Sequence, residues 1–181
     1  MLHLKNITAG NPKNAEQYQL TKQYDVTWLF SEDGKNWYEE QKNFASDTIK
    51  MVYTGDGRVV WVGKDVTGIE PRNASVIEVP DITANRRITA PGFWFYRNAE
   101  FVFDYKLKAE DERDALLKQA SIMTSEWEKD LLLGLISDED REKLKAYRIY
   151  AKSLQAMDFS TITDKTSYNA IEWPVSPEAS S

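Results

Sequence analysis

Apolar residues in the last third of the chain recur at the spacing of amphipathic helices. In two stretches they lie three or four positions apart, which places each set on one helical face. The two sets are Leu116, Ala120, Met123, Trp127 and Leu131, and then Leu144, Tyr147, Ala151 and Leu154. The spacing predicts helices at about residues 109–134 and 138–157.

The segment between these helices contains the signals that end one helix and begin the next. Gly134 suits the left-handed conformation that follows many helices. Ser137 suits an N-cap, and the acidic residues 138–140 favour the positive end of the second helix dipole. The pattern therefore predicts a helical hairpin. Beyond it, a polar connector at residues 158–169 leads to an extended tail.

Before the helical region, short β-prone runs alternate with turn residues. Three hairpins are predicted, pairing residues 48–53 with 58–62, 93–96 with 100–105 and, more loosely, 26–30 with 37–38. The clearest of them turns at Gly55–Gly57, since glycine supplies the positive φ angles of a tight reversal. Residues 15–22 are polar and give no clear signal. We therefore predict an α+β fold, with a β-rich domain of short antiparallel hairpins at 1–105 and a helical hairpin with an extended tail at 106–181.

Composition and charge exclude several classes of function. Hydrophobic residues make up 41% of the 181 positions, which is enough for a globular core. The net charge of −6 is shared between the two parts, and neither is basic enough to favour nucleic-acid binding. The chain has no cysteine, which excludes disulfides and thiolate metal sites. Its longest apolar run is too short to span a bilayer.

The candidate catalytic groups lack partners. His3 is the only histidine, and no group placed to work with it as acid or base can be identified. The carboxylates at 138–140 point in different directions from a helix start and lack the glycine spacing of a calcium loop. Gly55–Gly57 is too short for a phosphate loop and precedes a strand. We expect no enzymatic activity, no cofactor and no metal.

Aromatic and aliphatic residues suggest binding surfaces instead. Six Trp, nine Tyr and seven Phe could stack on sugars, but most lie in predicted hairpins, where one face must be buried. The helical region has more apolar residues than one short helix pair can bury, so they either pack on the β-rich domain or meet a partner chain. They are Met123, Trp127, Leu131–Leu133, Leu135 and Ile136. We expect intramolecular packing for most of them. Trp173 and Pro174, in the extended tail, either dock back on the helices or anchor a partner, and the sequence leaves both readings open.

The C-terminal motifs resemble those of phage tail fibre assembly proteins. They are Leu135-Ile136-Ser137-Asp138-Glu139-Asp140, Lys143-Leu144-Lys145-Ala146-Tyr147-Arg148-Ile149-Tyr150 and Ile171-Glu172-Trp173-Pro174-Val175-Ser176-Pro177. The hairpin Gly92–Ala99 is similar to one in the same family. The opening, Met1–Pro12 with Glu32–Glu40, resembles the member from Mu-like phages and prophages. The chain departs from the family pattern at Tyr147, which is often Trp, and at Ala99, which is often Gly.

This resemblance implies a chaperone rather than an enzyme. We expect the chain to assist folding and trimerisation of a cognate trimeric tail fibre protein by binding its C-terminal tip. This would take place in the bacterial host cytoplasm, with retention on the virion tail fibre tip as one outcome. Tyr147, Tyr150, Trp173 and Pro174 are the expected partner-facing or tail-docking residues.

Two further partners follow from the same resemblance and from exposed surface. Strand edges and helix faces would permit a homodimer when no client is present. The alternative function is an accessory fibre-tip subunit that contacts bacterial surface polysaccharide, as in lipopolysaccharide. No nucleic-acid partner and no membrane insertion are expected.

Overall fold

The computed structural model describes the backbone of residues 1–180 and the side chains of residues 1–178. The chain divides into two units, Met1–Phe103 and a second that begins at Asp104. All strands of the described chain lie in the first unit, and the two long helices lie in the second. The predicted α+β fold is therefore confirmed.

Five strands of the first unit form one antiparallel sheet. They are β1 (His3–Gly10), β2 (Trp28–Phe30), β3 (Thr48–Thr54), β4 (Val59–Gly63) and β5 (Ala74–Pro80). The order across the sheet is β2-β1-β5-β3-β4, so the first strand pairs with the fifth across most of the unit's sequence. On β5, Val76 belongs to the core on one face of the sheet, whereas Ile77 and Val79 belong to the core on the other. The central strand is therefore covered on both faces.

Two more strands, β6 (Trp94–Arg97) and β7 (Glu100–Phe103), form a separate hairpin. This hairpin and the β3–β4 hairpin are confirmed as predicted. The two meet where Tyr96 N donates a hydrogen bond to Gly57 O at 2.7 Å. Gly57 has a φ of 90°, and a Cβ atom there would lie 2.5 Å from Tyr96 O. Both the turn and the approach of the second hairpin therefore require glycine.

The polar segment that gave no clear signal is a helix, α1 (Ala15–Tyr24). Asn14 caps its start by accepting a hydrogen bond from Gln17 N at 2.8 Å. Asp25 ends it in the left-handed conformation, with a φ of 54°. Capping residues rather than an apolar stripe define this helix, so hydrophobic periodicity did not reveal it.

The hairpin predicted between residues 26–30 and 37–38 is wrong. Trp37 begins a short helix, α2 (Trp37–Glu40), and a single bridge from Phe30 to Asn36 joins the two segments. The Asn36 side chain caps this helix, and Trp37 is fully buried. Burial of the tryptophan against distant residues outweighs its strand preference. Another short helix, α3 (Thr83–Arg86), follows β5.

A buried carboxylate connects three segments of the first unit. Glu78 on β5 accepts hydrogen bonds from Leu2 N at 2.9 Å and from Ala45 N at 2.7 Å. A third comes from Thr48 Oγ1 at 2.7 Å. Its cross-strand neighbour Lys50 is also buried and donates to Ala45 O. Burial raises the pKa of Glu78, but these hydrogen bonds and the Lys50 charge outweigh it, so the pKa lies below its ordinary value.

The second unit is built on two long helices, α4 (Tyr105–Leu133) and α5 (Asp138–Gln155). The first begins about four residues before the predicted start at residue 109. Asp104 causes this difference, because it serves as the N-cap and accepts a hydrogen bond from Leu107 N at 2.9 Å. The capping carboxylate thus ends the strand region two residues earlier than the run of aromatic residues suggested.

The turn between α4 and α5 has the predicted caps. Gly134 adopts the left-handed conformation with a φ of 71°. The Ser137 hydroxyl accepts a hydrogen bond from Asp140 N at 3.1 Å, and it donates one to the Asp140 carboxylate at 2.7 Å. The predicted helical hairpin is therefore confirmed.

The chain beyond α5 is more ordered than a plain connector. The helix ends at Gln155, two residues before the predicted end, and Met157 N bonds to Leu154 O in a tightened last turn at 3.2 Å. The predicted connector contains a further helix, α6 (Lys165–Asn169), which Asp164 caps.

Within the part of the chain that the structure describes, no helix combines the length and apolar character needed to cross a membrane. In the same residues, no three His, Cys, Asp or Glu side chains come together in a way that could hold a metal ion.

We expect Glu78→Ala to lower the free energy of unfolding of the first unit by about 3 kcal/mol. It leaves buried N–H groups without their acceptor and removes the charge that balances the buried Lys50. Hydrogen exchange of the β3 and β5 amides measures the loss within this unit. Because folding lowers the pKa of Glu78, the stabilisation is present at neutral pH and is lost as the pH falls through the range where carboxylates protonate.

Glu70→Gln is the control for this prediction. It removes an exposed ion pair with Arg72, whose two partners lie 2.6 Å apart, and should leave the exchange rates nearly unchanged. Equal exchange in the Glu78 and Glu70 variants would show that the buried carboxylate does not stabilise the sheet.

Candidate functional site

Tyr147 and Tyr150 lie in the core of the second unit. They project from α5 on the same side as Leu154 and pack against Ala120 of α4. Only 6% of Tyr147 and 7% of Tyr150 is exposed. The ring of Trp127 lies 5.9 Å from that of Tyr147. The two helices are therefore joined through an aromatic cluster.

The C-terminal tail folds back over this cluster. Trp173 packs on its edge, and its ring centroid lies 5.7 Å from that of the buried Phe159. The tail is also held at α6, where Tyr168 donates a hydrogen bond to the Glu112 carboxylate of α4 at 2.6 Å. Lys108 lies over the Tyr168 ring, 4.3 Å from its centroid. Two separate contacts thus hold the tail on the helices.

A cavity of about 380 Å³ opens beside the tail and the two tyrosines. Its other lining residues are Leu116, Gln119, Ala120, Met123, Ser176 and Glu178. Burial raises the pKa of Tyr147, and the neighbouring Glu178 raises it further. Burial also raises the pKa of Tyr150. Both shifts keep the phenols protonated at physiological pH.

The structure brings together three of the four residues predicted to face a partner or to dock the tail. Tyr147, Tyr150 and Trp173 belong to one cluster, and Pro174 is half-buried next to Trp173. Of the two readings left open for Trp173, the structure shows docking on the helices. The tail covers the tyrosines, so a partner would reach them only after the tail moved. A partner-binding role for these four residues stays a prediction.

A second apolar surface lies at the turn between α4 and α5. Leu132, Leu133 and Leu135 are 87%, 71% and 72% exposed, and Leu131 is 46% exposed. We call these four residues the apolar apex. Intramolecular packing was expected for most of the apolar residues of this region, and for these four the expectation is wrong. Aliphatic side chains at successive positions around Gly134 point in different directions, so one packing face cannot bury them all. Their run in the sequence was visible, but their exposure depends on how the hairpin packs.

The first unit has a polar and aromatic depression of about 380 Å³. Tyr53 and Tyr96 lie there with ring centroids 4.8 Å apart, and the Tyr53 hydroxyl is 2.7 Å from His3 Nε2. Burial, and then the charge of Lys5, lowers the pKa of His3. Asn98 also lines the depression. The depression therefore combines hydrogen-bonding groups with aromatic rings.

Comparison with known proteins places both units in one family. The model of the family described as "Caudovirales tail fibre assembly protein, lambda gpK" matches residues 39–178. The chain belongs to this family. The matched range includes α4, α5, the apolar apex and the tail through Glu178.

Relatives from this tail fibre assembly family align with nearly the whole chain. "Tail fiber assembly protein U'" of Escherichia phage Mu is 48% identical over 168 residues, which cover 90% of this chain and 95% of the relative. The protein of the same name from Escherichia phage P1 is 46% identical over the same shares of both chains. "Tail fiber assembly protein U" of phage Mu is 41% identical over 98% of this chain and all of its own length.

Membership of this family assigns the chain a role in tail fibre assembly. That role implies an interaction with a tail fibre protein. Binding a protein partner requires accessible surface, and the apolar apex and the tail-covered cluster differ in their accessibility. The apex is exposed in the structure, whereas the cluster is covered.

We expect Trp173→Ala to release the tail and to lower the free energy of unfolding of the second unit by about 2 kcal/mol, since Trp173 is only partly buried. Chemical denaturation followed by helical circular dichroism measures the loss. Val175→Ala is the matched control, because Val175 lies in the same tail and is 71% exposed. It should leave the denaturation midpoint unchanged.

Fibre assembly in the same variants separates docking from partner contact. Loss of stability with normal fibre solubility would contradict a partner-facing role for Trp173. Unchanged stability with defective assembly would contradict its role in holding the tail.

Proposed function

We propose that this chain is a chaperone that assists folding and trimerisation of a phage tail fibre protein by binding the C-terminal tip of that fibre. The exposed apolar apex carries the proposal: Leu132, Leu133 and Leu135 are each more than 70% exposed. Leucines this accessible at one end of a hairpin suit contact with apolar surface on another protein. The names of the relatives, as tail fibre assembly proteins, support the same conclusion.

The physical task explains why such a surface is useful. In a fibre tip where three chains interleave, most contacts join residues that are distant in sequence or lie on different chains. Such assembly is slow, and its intermediates expose apolar surface and unpaired strand edges that aggregate. A chaperone that covers this surface shifts the population toward assembly-competent chains. It does so to the extent that it binds these states more tightly than aggregating ones.

The apex can bind a client without rearrangement of the chaperone. Burying a leucine side chain contributes about 1.5–3 kcal/mol, so two or three such contacts supply useful but reversible affinity. The covered tyrosines, in contrast, could contribute only after the tail contacts at Trp173 and Tyr168 break. The apex is therefore the primary client-binding surface in this proposal. We propose that binding takes place in the cytoplasm of the bacterial host, where fibre chains are made.

A second candidate is an accessory fibre-tip subunit that binds bacterial surface polysaccharide. The depression around Tyr53 and Tyr96 favours it, because aromatic rings there lie beside the hydrogen-bonding groups of His3 and Asn98. Sugar sites commonly combine stacking with hydrogen bonds. In this alternative the protein stays at the fibre tip and its first unit carries the function.

Co-expression tests the proposal. We expect the cognate fibre protein to give soluble trimer, resistant to mild detergent, when this chain is present, and aggregate when it is absent. Leu132→Gln with Leu133→Gln should reduce trimer yield severalfold, because the apolar contacts are lost while helix propensity is nearly kept. Ile122→Gln is the matched control, since Ile122 is 64% exposed on α4 outside the apex.

The outcomes distinguish the two candidates. Equal trimer yield with and without this chain would overturn the chaperone proposal. Retention of the purified chain on lipopolysaccharide, lost on Tyr96→Ala, would then support the polysaccharide-binding alternative. A loss of yield in the Ile122 variant equal to that in the apex variant would remove the apex from the proposal.

A further inference from the structure

Four basic residues form a line along α5. Arg141, Lys145, Arg148 and Lys152 are four, three and four positions apart, a spacing that keeps them on one face of a helix. All four are exposed. We call them the basic stripe. At about 100° per residue, it lies about 140° around α5 from the buried side chains Tyr147 and Leu154.

The stripe is largely unpaired within the chain. Lys145 has an ion pair with Glu142 at 2.8 Å. Among the residues that the structure describes, Arg141, Arg148 and Lys152 have no carboxylate within 4.0 Å. The helix dipole favours a cation in the last turn, which accounts for Lys152 but not for Arg141 or Lys145. Three positive charges therefore face solvent together on a chain whose net charge is −6.

Apolar surface accompanies these charges. An open depression of about 640 Å³ is lined by the four residues of the basic stripe together with Leu131, Leu144 and Ile149. Ile149 is 67% exposed. Leu131 belongs to this depression and also to the apolar apex, so the two surfaces are continuous. The long basic side chains add their aliphatic stems to the apolar area.

We propose that this face of α5 binds an acidic amphipathic helix of the tail fibre client, with aliphatic side chains in the depression and carboxylates on the basic stripe. This inference rests on the proposed chaperone function and specifies the chemistry of the client segment. Charge complementarity selects the segment, while the apolar apex supplies affinity that does not depend on sequence. The combination restricts binding to fibre segments that carry both features.

The spacing of the stripe favours a helical rather than an extended client. Arg141 and Lys152 are eleven residues apart, so the stripe spans about 16.5 Å at about 1.5 Å per residue. Carboxylates with the same spacing on a client helix span the same length. On an extended strand, side chains on one side repeat every 6.8 Å or so, and four of them span about 20 Å. The strand would lose register with the stripe by its end.

Two charge-neutralising variants test this inference with the full-length chain. Arg141→Gln with Arg148→Gln removes two unpaired charges from the stripe and keeps helix propensity. Lys118→Gln with Lys143→Gln is the matched control: it changes net charge equally, and neither residue lines the depression. The probe is the purified cognate fibre protein, unfolded and diluted from denaturant, with binding measured between about 50 and about 300 mM salt.

We expect the stripe variant to bind the fibre about tenfold more weakly than the wild type at low salt, with a flatter salt dependence. The control variant should match the wild type in both respects. Circular dichroism of all three chains should be the same, which separates lost binding from lost folding.

Several outcomes would overturn the inference while leaving the proposed function intact. The first is that the wild type, the stripe variant and the control variant all bind the fibre equally and all promote trimer formation equally. The inference also fails if the stripe variant loses only self-association, seen by sedimentation, or only binding to vesicles that contain lipopolysaccharide. If the wild-type chain itself neither binds the fibre nor raises trimer yield, the proposed function fails first.

Discussion

Contact between the C-terminal tail and the aromatic side of the α4–α5 hairpin determines what the second unit can present to other proteins. Two helices alone leave most of their apolar surface exposed to water. Trp173 packs on the side formed by Tyr147 and Tyr150 and is itself in contact with Phe159. The hydrogen bond from Tyr168 to Glu112 holds the preceding part of the tail on α4. With that side covered, the apolar apex and the basic side of α5 remain accessible on the hairpin.

This division assigns different tasks to residues that look alike in the sequence. The tail-covered aromatics hold the unit together, and their raised tyrosine pKa values reflect that burial. The exposed leucines at the turn do not belong to the core cluster of the unit. Exposed leucines that do not contribute to a core suit a protein whose family acts in assembly, because binding a client recovers the free energy that their exposure costs.

Local signals in the sequence were sufficient for the helical hairpin. Gly134 and Ser137 act as caps through contacts with near neighbours, so their effect can be deduced from sequence. The strand order could not be deduced, because β1 pairs with β5 across most of the first unit. Trp37 was misplaced for the same reason, since burial by distant residues makes it part of a helix. The exposure of Leu132 and the unpaired state of Arg148 likewise depend on tertiary packing. The basic stripe did not show in the net charge, because the acidic residues at the start of α5 cancel its positive charges.

Hydrogen exchange of this chain, free and bound to its cognate fibre protein, tests the central claim most directly. The claim is that the open side of the helical hairpin, not the tail-covered aromatics or the β-rich unit, receives the client. The account predicts slower exchange on binding in residues 131–152, with the tail unchanged. Protection confined to residues 1–103, or faster exchange in the tail on binding, would contradict it.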